Sequence, residues 1–277
     1  MKIALLYDFD KTLSDRDMQE YGFIEDLGFK DPAEFWDLVD HQAKNNSMDH
    51  ILAYLYEMVH QSALKGHVLT KDSLGQYAHR VEFYPGVKAC FVFINLYGET
   101  VGFEVEHYIV SSVLKQIIEA TPIAPFFKKI YACEFFYDEQ GQANWPKLVV
   151  NYTMKTQFIY RINKGVLDIN NDEDLNKHQA EEDKPIPFTH MIYIGDGLTD
   201  VPSMKLIKNS GGHSIAVYPP TKEPKDVTKD LLGYGRVDFV APADYTQGSR
   251  LHHIILTIFN KLYGNDCLDR LPRNGST

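Results

Sequence analysis

Cysteine is scarce: Cys90, Cys133 and Cys267 lie far apart and form no CxxC pair. That excludes a disulfide framework and a zinc knuckle, and it fits a reducing, cytoplasmic setting. Long apolar runs are also missing. The N-terminal stretch MKIALLYDFD carries only the run Ile3 to Tyr7 before its first aspartate, too short for the core of a secretory signal. No segment approaches the roughly 18 apolar residues of a membrane span, so no membrane association is expected. Positive charge is in deficit, with 28 Lys plus Arg against 38 Asp plus Glu and a formal charge of -10. No basic cluster interleaved with aromatics offsets it, and such a surface repels a phosphate backbone, which excludes nucleic acid as a partner.

What is present is an ordinary globular composition, 277 residues at 44% hydrophobic, long enough to bury a sizeable interior. Short apolar runs at 3–7, 107–110, 129–133, 191–194, 214–218 and 237–240 read as buried strands. Helical periods fall between them, at 112–120, 153–164, 199–209 and 247–262. Continuous apolar strands separated by helices predict an α/β fold, a doubly wound, mostly parallel sheet covered on both faces. Residues 14–83 depart from this rhythm. They show no convincing strand but carry apolar residues three and four apart, with Asp31, Pro32 and Ser47 as helix-start signals and Gly66 as a stop. The stretch reads as a helical insertion, and Pro85 and Gly86 mark the return to the sheet. Residues 134–150 suggest a hairpin turning at Glu139, Gln140 and Gly141. The polar stretch 170–184 reads as a solvated helix or loop, and the tail, residues 265–277, as flexible.

The ends of the strands hold the chemistry. Asp8 and Asp10 follow the first run, Ser111 and Ser112 follow the second, Lys155 opens a helix, and Asp196 and Asp200 follow the run MIYI. In a doubly wound sheet the ligand crevice lies at the carboxyl ends of the strands. Residues i and i+2 of an extended chain share a side about 6.6 Å apart, so Asp8 and Asp10 are placed to flank one tetrahedral group. Two carboxylates about 5 Å apart repel by roughly 3 kcal/mol at an effective dielectric of 20, and Asp196 adds to this. Such a cluster calls for a cation. All-oxygen ligands in a phosphate-handling site point to Mg²⁺.

These residues resemble the motifs of the haloacid dehalogenase (HAD) superfamily in its phosphatase branch. Asp8, Asp10 and Thr12 match DxDxT, Ser111 the hydroxyl residue after a hydrophobic strand, Lys155 the lysine at a helix start, and Gly195, Asp196, Gly197 and Asp200 match GDGxxD. The resemblance implies a HAD-like core over 1–13 and 84–264, with 14–83 as a helical cap inserted after the first motif. It implies hydrolysis through an aspartyl-phosphate on Asp8, with Asp10 as general acid and base. Mg²⁺ would be held by Asp8, the backbone carbonyl of Asp10 and Asp196, with Asp200 direct or through water. Thr12, Ser111 and Lys155 would bind the phosphoryl oxygens. Ser112 competes with Ser111, one of the two being a helix cap, and Lys147 or Lys164 could replace Lys155. Lys11 reads as exposed. The carboxylate at Asp10 favours phosphate-ester hydrolysis over dehalogenation.

The expected substrate is a small phosphorylated metabolite. Phosphoserine is not supported, because Ser112 and Val113 stand where the phosphoserine enzymes have glycines and Asp17 stands at the early cap position where they have glutamate. Arg16, Asp17, Trp36, His41 and Tyr54 are the candidates for selecting the leaving group. Alternatives are a phosphotransferase or mutase of the same superfamily, and a regulatory module that binds Mg²⁺ or phosphate without turnover.

Overall fold

A computed structural model describes residues 1–223 and 226–272. The strands are β1 (Lys2–Tyr7), β2 (Glu104–Leu114), β3 (Phe127–Tyr137), β4 (Ala143–Leu148), β5 (Met191–Gly195), β6 (His213–Tyr218) and β7 (Phe239–Pro242). The helices are α1 (Phe23–Asp26), α2 (Pro32–Asn46), α3 (His50–Leu64), α4 (Lys71–Gly75), α5 (Val87–Thr100), α6 (Lys115–Glu119), α7 (Met154–Lys164), α8 (Asp172–Asn176), α9 (Val201–Asn209), α10 (Asp226–Gly233) and α11 (Arg250–Asp269). One sheet runs β4-β3-β2-β1-β5-β6-β7, and every pairing is parallel except β3 with β4.

The run Ile3 to Tyr7 is fully buried because β1 sits at the centre of the sheet with helices on both faces. Strand order reverses around β1, so the ends of β1 and β5 flank the switch point. Helix α5 is absent from the sequence expectation. Its buried Val87, Cys90, Phe91 and Ile94 keep helical spacing, but exposed Val92 and Leu96 blur the pattern. A Cβ on its Gly98 would meet Val105 Cγ2 of β2 at 2.4 Å, so glycine permits the close helix-strand approach. Strand β7 lies two residues beyond the expected run, and helix α11 continues to Asp269, past the point where a tail was expected. Residues 273–277 of that tail lie outside the described residues.

Residues 14–83 leave and rejoin the sheet side by side. Ser14 bridges Phe83, Asp15 N–H donates to Glu82 O at 3.1 Å, and Tyr84 N–H donates to Leu13 O at 2.9 Å. The two connections therefore form one short antiparallel hinge. The insertion has its own packing, in which Phe35 meets Phe23, Phe29 and Trp36 edge-on, and α2 lies against α3. Asp31 caps α2 through Ala33 N–H with Pro32 following, and Asp49 caps α3 through the N–H groups of Ile51 and Leu52. Ser47 is no start signal. It terminates α2 in the left-handed region at φ 50, and the cap of α3 is two residues on.

The β3–β4 hairpin turns at Asp138 to Gln142, with Gly141 at φ 76, and touches the insertion where Ala143 N–H donates to Leu69 O at 2.7 Å. In the polar stretch after α7, buried Arg161 donates to the carbonyls of Asp168, Ile169 and Asn171, which fastens α8 to the core. Among the described residues no helix is long and apolar enough to cross a membrane.

One buried histidine gives the fold a dependence on pH. His107 on β2 lies between Tyr7 OH, 3.1 Å from Nδ1, and Asn95 Oδ1, 2.9 Å from Nε2. The amide oxygen only accepts, so Nε2 carries the proton and Nδ1 accepts from Tyr7, a neutral ring. Burial lowers its pKa to about 3. Below the ordinary histidine range the unfolded chain takes up a proton that the folded chain refuses. Stability from this group is thus complete above about pH 6.5 and falls by about 1.4 kcal/mol per pH unit between there and the folded value. Urea unfolding at pH 7 and pH 5 should show this slope in the native protein and a shallower one in His107→Gln; equal slopes would remove His107 as the cause.

Candidate active site

The ends of β1, β2 and β5 and the facing insertion enclose a cavity of about 530 Å³. Asp8 directly follows β1, with its N–H donating to Ile194 O of β5 at 2.9 Å. Its Oδ1 accepts from Phe9 N–H at 2.8 Å and lies 3.1 Å from Lys155 Nζ. The chain then turns tightly instead of staying extended. Phe9 O accepts from Thr12, Leu13 and Ser14, and Lys11 adopts φ 56. Asp8 and Asp10 nevertheless both line the cavity.

The acidic cluster is formed across the switch point. Asp8, Asp196 and Asp200 each place an oxygen within 4.8 Å of the others, and the Asp10 carboxylate is not among them. Asp200, expected near a helix start, stands at the N-cap position of α9 without a side-chain bond to that helix and is fully buried. It accepts from Lys155 Nζ and Tyr193 OH, each at 2.7 Å. Gly195 makes this possible, since a Cβ there would sit 2.4 Å from Asp200 Oδ2. Gly197 is extended at φ -148 with open space around it and lines the cavity, so nothing steric demands glycine.

Two expected phosphoryl ligands are placed elsewhere. Lys155 is 1% exposed and lies behind Asp8, its Nζ given to carboxylates and not to the cavity wall. Thr12 is fully buried with Oγ1 unpartnered, and its carbonyl accepts from Tyr245 OH at 2.8 Å. It does not line the cavity, because the turn after Asp10 carries it inward. The serines stay. Strand β2 extends through both, and its pairing with β3 slips between Val110 and Leu114. This bulge lets consecutive Ser111, Ser112 and Val113 all face the cavity, which a regular strand forbids. Neither serine caps α6, whose N-cap is Leu114. Ser111 is buried, and the Ser112 hydroxyl is buried without a partner. Lys147 bonds Glu134 on the hairpin, and Lys164 bonds the carbonyls of Leu175 and Lys177, so neither replaces Lys155.

Electrostatics follow from burial and crowding. Burial, then Asp17 and Asp8, push the Asp10 carboxyl well above the usual range. Burial, then Asp200 and Asp8, do the same for Asp196. Asp200 is raised by burial and Asp8, with Lys155 and Tyr193 pulling the other way. Burial alone would lower the Lys155 amine, but Asp200 and Asp8 hold it above the ordinary lysine range. One ammonium thus faces a cluster of three carboxylates. An all-oxygen donor set with excess negative charge fits a hard divalent ion such as Mg²⁺.

On the insertion side Asp17, Trp36 and Tyr54 line the cavity, as do Gln19, Asp37, Asp40 and His50. Arg16 and His41 do not: Arg16 is drawn into the hinge by Asp15 and Glu82. Tyr54 OH donates to Ser112 O at 2.6 Å, tying α3 to the bulge. Lys11 is exposed and paired with Asp17 at the cavity mouth. Tyr193 and Gln19 were not anticipated; the one available signal was a lone tyrosine in the aliphatic run MIYI.

No protein-family model matches the chain. An uncharacterized protein of Borreliella burgdorferi is 30% identical over 92% of this chain and 95% of its own length, which makes the two one family. Inorganic pyrophosphatase 2 of Arabidopsis thaliana is 24% identical over 95% of this chain and 86% of its own. A HAD family hydrolase from Salmonella enterica serovar Typhi superposes with TM-score 0.52 at 15% identity over 86% of this chain and 66% of that one. A phosphoserine phosphatase, described as a phospho-aspartyl intermediate analogue, superposes with TM-score 0.54 at 14% identity over 92% and 98%. The chain has the fold of the haloacid dehalogenase hydrolases. Its sheet places Asp8 and Asp196 directly after β1 and β5, the two strands that flank the switch point.

Within this site, Lys155→Met should cost about 3–5 kcal/mol of stability, because it strips the only ammonium in contact with Asp8 and Asp200 among the described residues. Urea unfolding in the presence of chelator measures it; a loss under about 1 kcal/mol would show that Lys155 does not compensate the cluster.

Proposed function

We propose that the protein is a Mg²⁺-dependent phosphomonoesterase acting on a small phosphorylated metabolite, with residues 14–83 as a cap over the site. The observation that supports it most is the placement of Asp8, with Oδ1 held by Phe9 N–H and Lys155 and the Asp196–Asp200 pair beside it. With Oδ1 tied down, Oδ2 is the oxygen that attacks phosphorus; the ester P–O bond breaks and an aspartyl-phosphate forms. Asp10 is kept protonated by burial and by Asp17 and Asp8, and gives its proton to the leaving oxygen. It then takes a proton from the water that attacks the aspartyl-phosphate, which releases inorganic phosphate and frees Asp8. Ser111 and the unpartnered Ser112 hydroxyl supply donors for the phosphoryl oxygens. Lys155 orients Asp8 and balances its charge. Asp8, Asp196, the Asp10 carbonyl and Asp200 would hold Mg²⁺, which supplies charge neutralisation at the phosphoryl group.

The name of the Arabidopsis relative and the phospho-aspartyl description of the structural neighbour are in keeping with this chemistry. Hydrolysis of p-nitrophenyl phosphate should require Mg²⁺, stop with chelator, and yield free phosphate in step with nitrophenol; a new ester in place of phosphate would indicate a transferase. Asp8→Asn should lower kcat/KM at least about a thousandfold. Asp10→Asn should harm alkyl phosphates more than p-nitrophenyl phosphate, whose leaving oxygen needs less protonation. Full activity in Asp8→Asn would refute the nucleophile.

A further inference from the structure

The two halves of the cavity differ in chemistry. On the insertion side the wall bears Asp17, Asp37 and Asp40 against one lysine, Lys11, which is already paired with Asp17. Asp40 is met by His50 at 3.0 Å and by Lys44, from outside the cavity, at 3.4 Å, whereas Asp37 has no ion-pair partner among the described residues. Gln19, on the short turn Met18–Glu20, is 3% exposed and lines the same wall with Oε1 unpartnered. A buried amide oxygen left without a donor costs about 1–3 kcal/mol, which a ligand N–H would recover. Trp36 gives its Nε1–H to Glu20 Oε1 at 3.3 Å, so its indole offers the cavity a ring and not a donor. Among the described residues no arginine lines the cavity. The basic groups on this wall, Lys11 and His50, are already held by Asp17 and Asp40, so a carboxylate or a second phosphate meets no free cation among the described residues here.

Resting on the phosphatase reading of this same cavity, we propose that the leaving group carries a protonated amine, so that the substrate is a short phosphate ester of an amino alcohol. An ammonium has three donors and no acceptor, the complement of a wall made of an amide oxygen and carboxylates. A concave, acidic wall concentrates negative potential where the amine sits, and the Trp36 face adds cation–π attraction. The same wall repels phosphoserine's carboxylate and the second phosphate of pyrophosphate. At about 530 Å³ the cavity accommodates a short ester with room for water. Gln19, Asp37 and Asp40 are therefore specificity residues, with Trp36 as the apolar floor.

The test compares kcat/KM for 2-aminoethyl phosphate with that for n-propyl phosphate, which matches it in size but lacks the charge. Pyrophosphate and phosphoserine serve as anionic competitors, and p-nitrophenyl phosphate reports the bond-breaking chemistry. The protein should favour the amine ester at least about tenfold. The doubly substituted Asp37→Asn, Asp40→Asn protein should lower that preference about fivefold, as should Gln19→Leu. Taking a ratio within each variant cancels any general loss of activity. The aspartates are not core residues, so the double variant remains informative if Gln19→Leu fails to fold. A ratio near one, a ratio unchanged in the double variant, or a preference for pyrophosphate or phosphoserine overturns the inference while p-nitrophenyl phosphate turnover preserves the phosphatase. No turnover of any ester overturns both.

Discussion

Everything in this structure is arranged around one electrostatic problem: three carboxylates, Asp8, Asp196 and Asp200, brought within 4.8 Å of one another against a single buried ammonium on Lys155. Like charges at that separation do not gather in a folded chain without compensation. Lys155 supplies part of it, and Tyr193 adds a hydrogen bond to the most buried member. The remainder is negative charge facing a cavity, which is the electrostatic form of a divalent cation site. The cluster is stable only because its members sit on rigid elements: the ends of adjacent strands β1 and β5, the start of α9, and the first turn of α7.

From that cluster outward, two local irregularities shape the cavity. The tight turn after Phe9 takes Asp10 out of line with Asp8, burying one of its oxygens and leaving Thr12 inside the protein. The slip of β2 against β3 brings three consecutive side chains onto one wall. Both departures occur at the carboxyl edge of the sheet, where regular geometry would have aimed half of these groups away from the cavity. The insertion closes the other side. Its hinge is short, and Tyr54 and Leu69 hold it to the core through backbone acceptors.

The readable parts were those with a short-range signature. Continuous apolar runs located all the central strands, and the aspartates and serines that follow them fell at the expected edge. Helix α5 was missed because its outward face also carries Val92 and Leu96, so the period vanished. Ser47 was misread because a residue that ends one helix in the left-handed region looks, in a string of letters, like one that begins the next. The place of Lys155 at a helix start is legible in the sequence, but its partners, Asp8 and Asp200, lie on other elements and no local pattern encodes them. Gln19 leaves no local signal for the same reason, and Tyr193 leaves only its place as a lone tyrosine in an aliphatic run.

The chain alone determined the alternation of strands and helices, the interruption after the first strand, and which carboxylates stand at strand ends, because apolar period and turn chemistry act over a few residues. The tertiary structure decided which carboxylates share a cluster, which lysine answers them, and which polar groups face the cavity. Those outcomes depend on distances between segments far apart in the chain, 45 residues for Lys155 and Asp200 and more for Asp8 with either, and only the packing of β1 against β5, beneath the helical insertion, sets them.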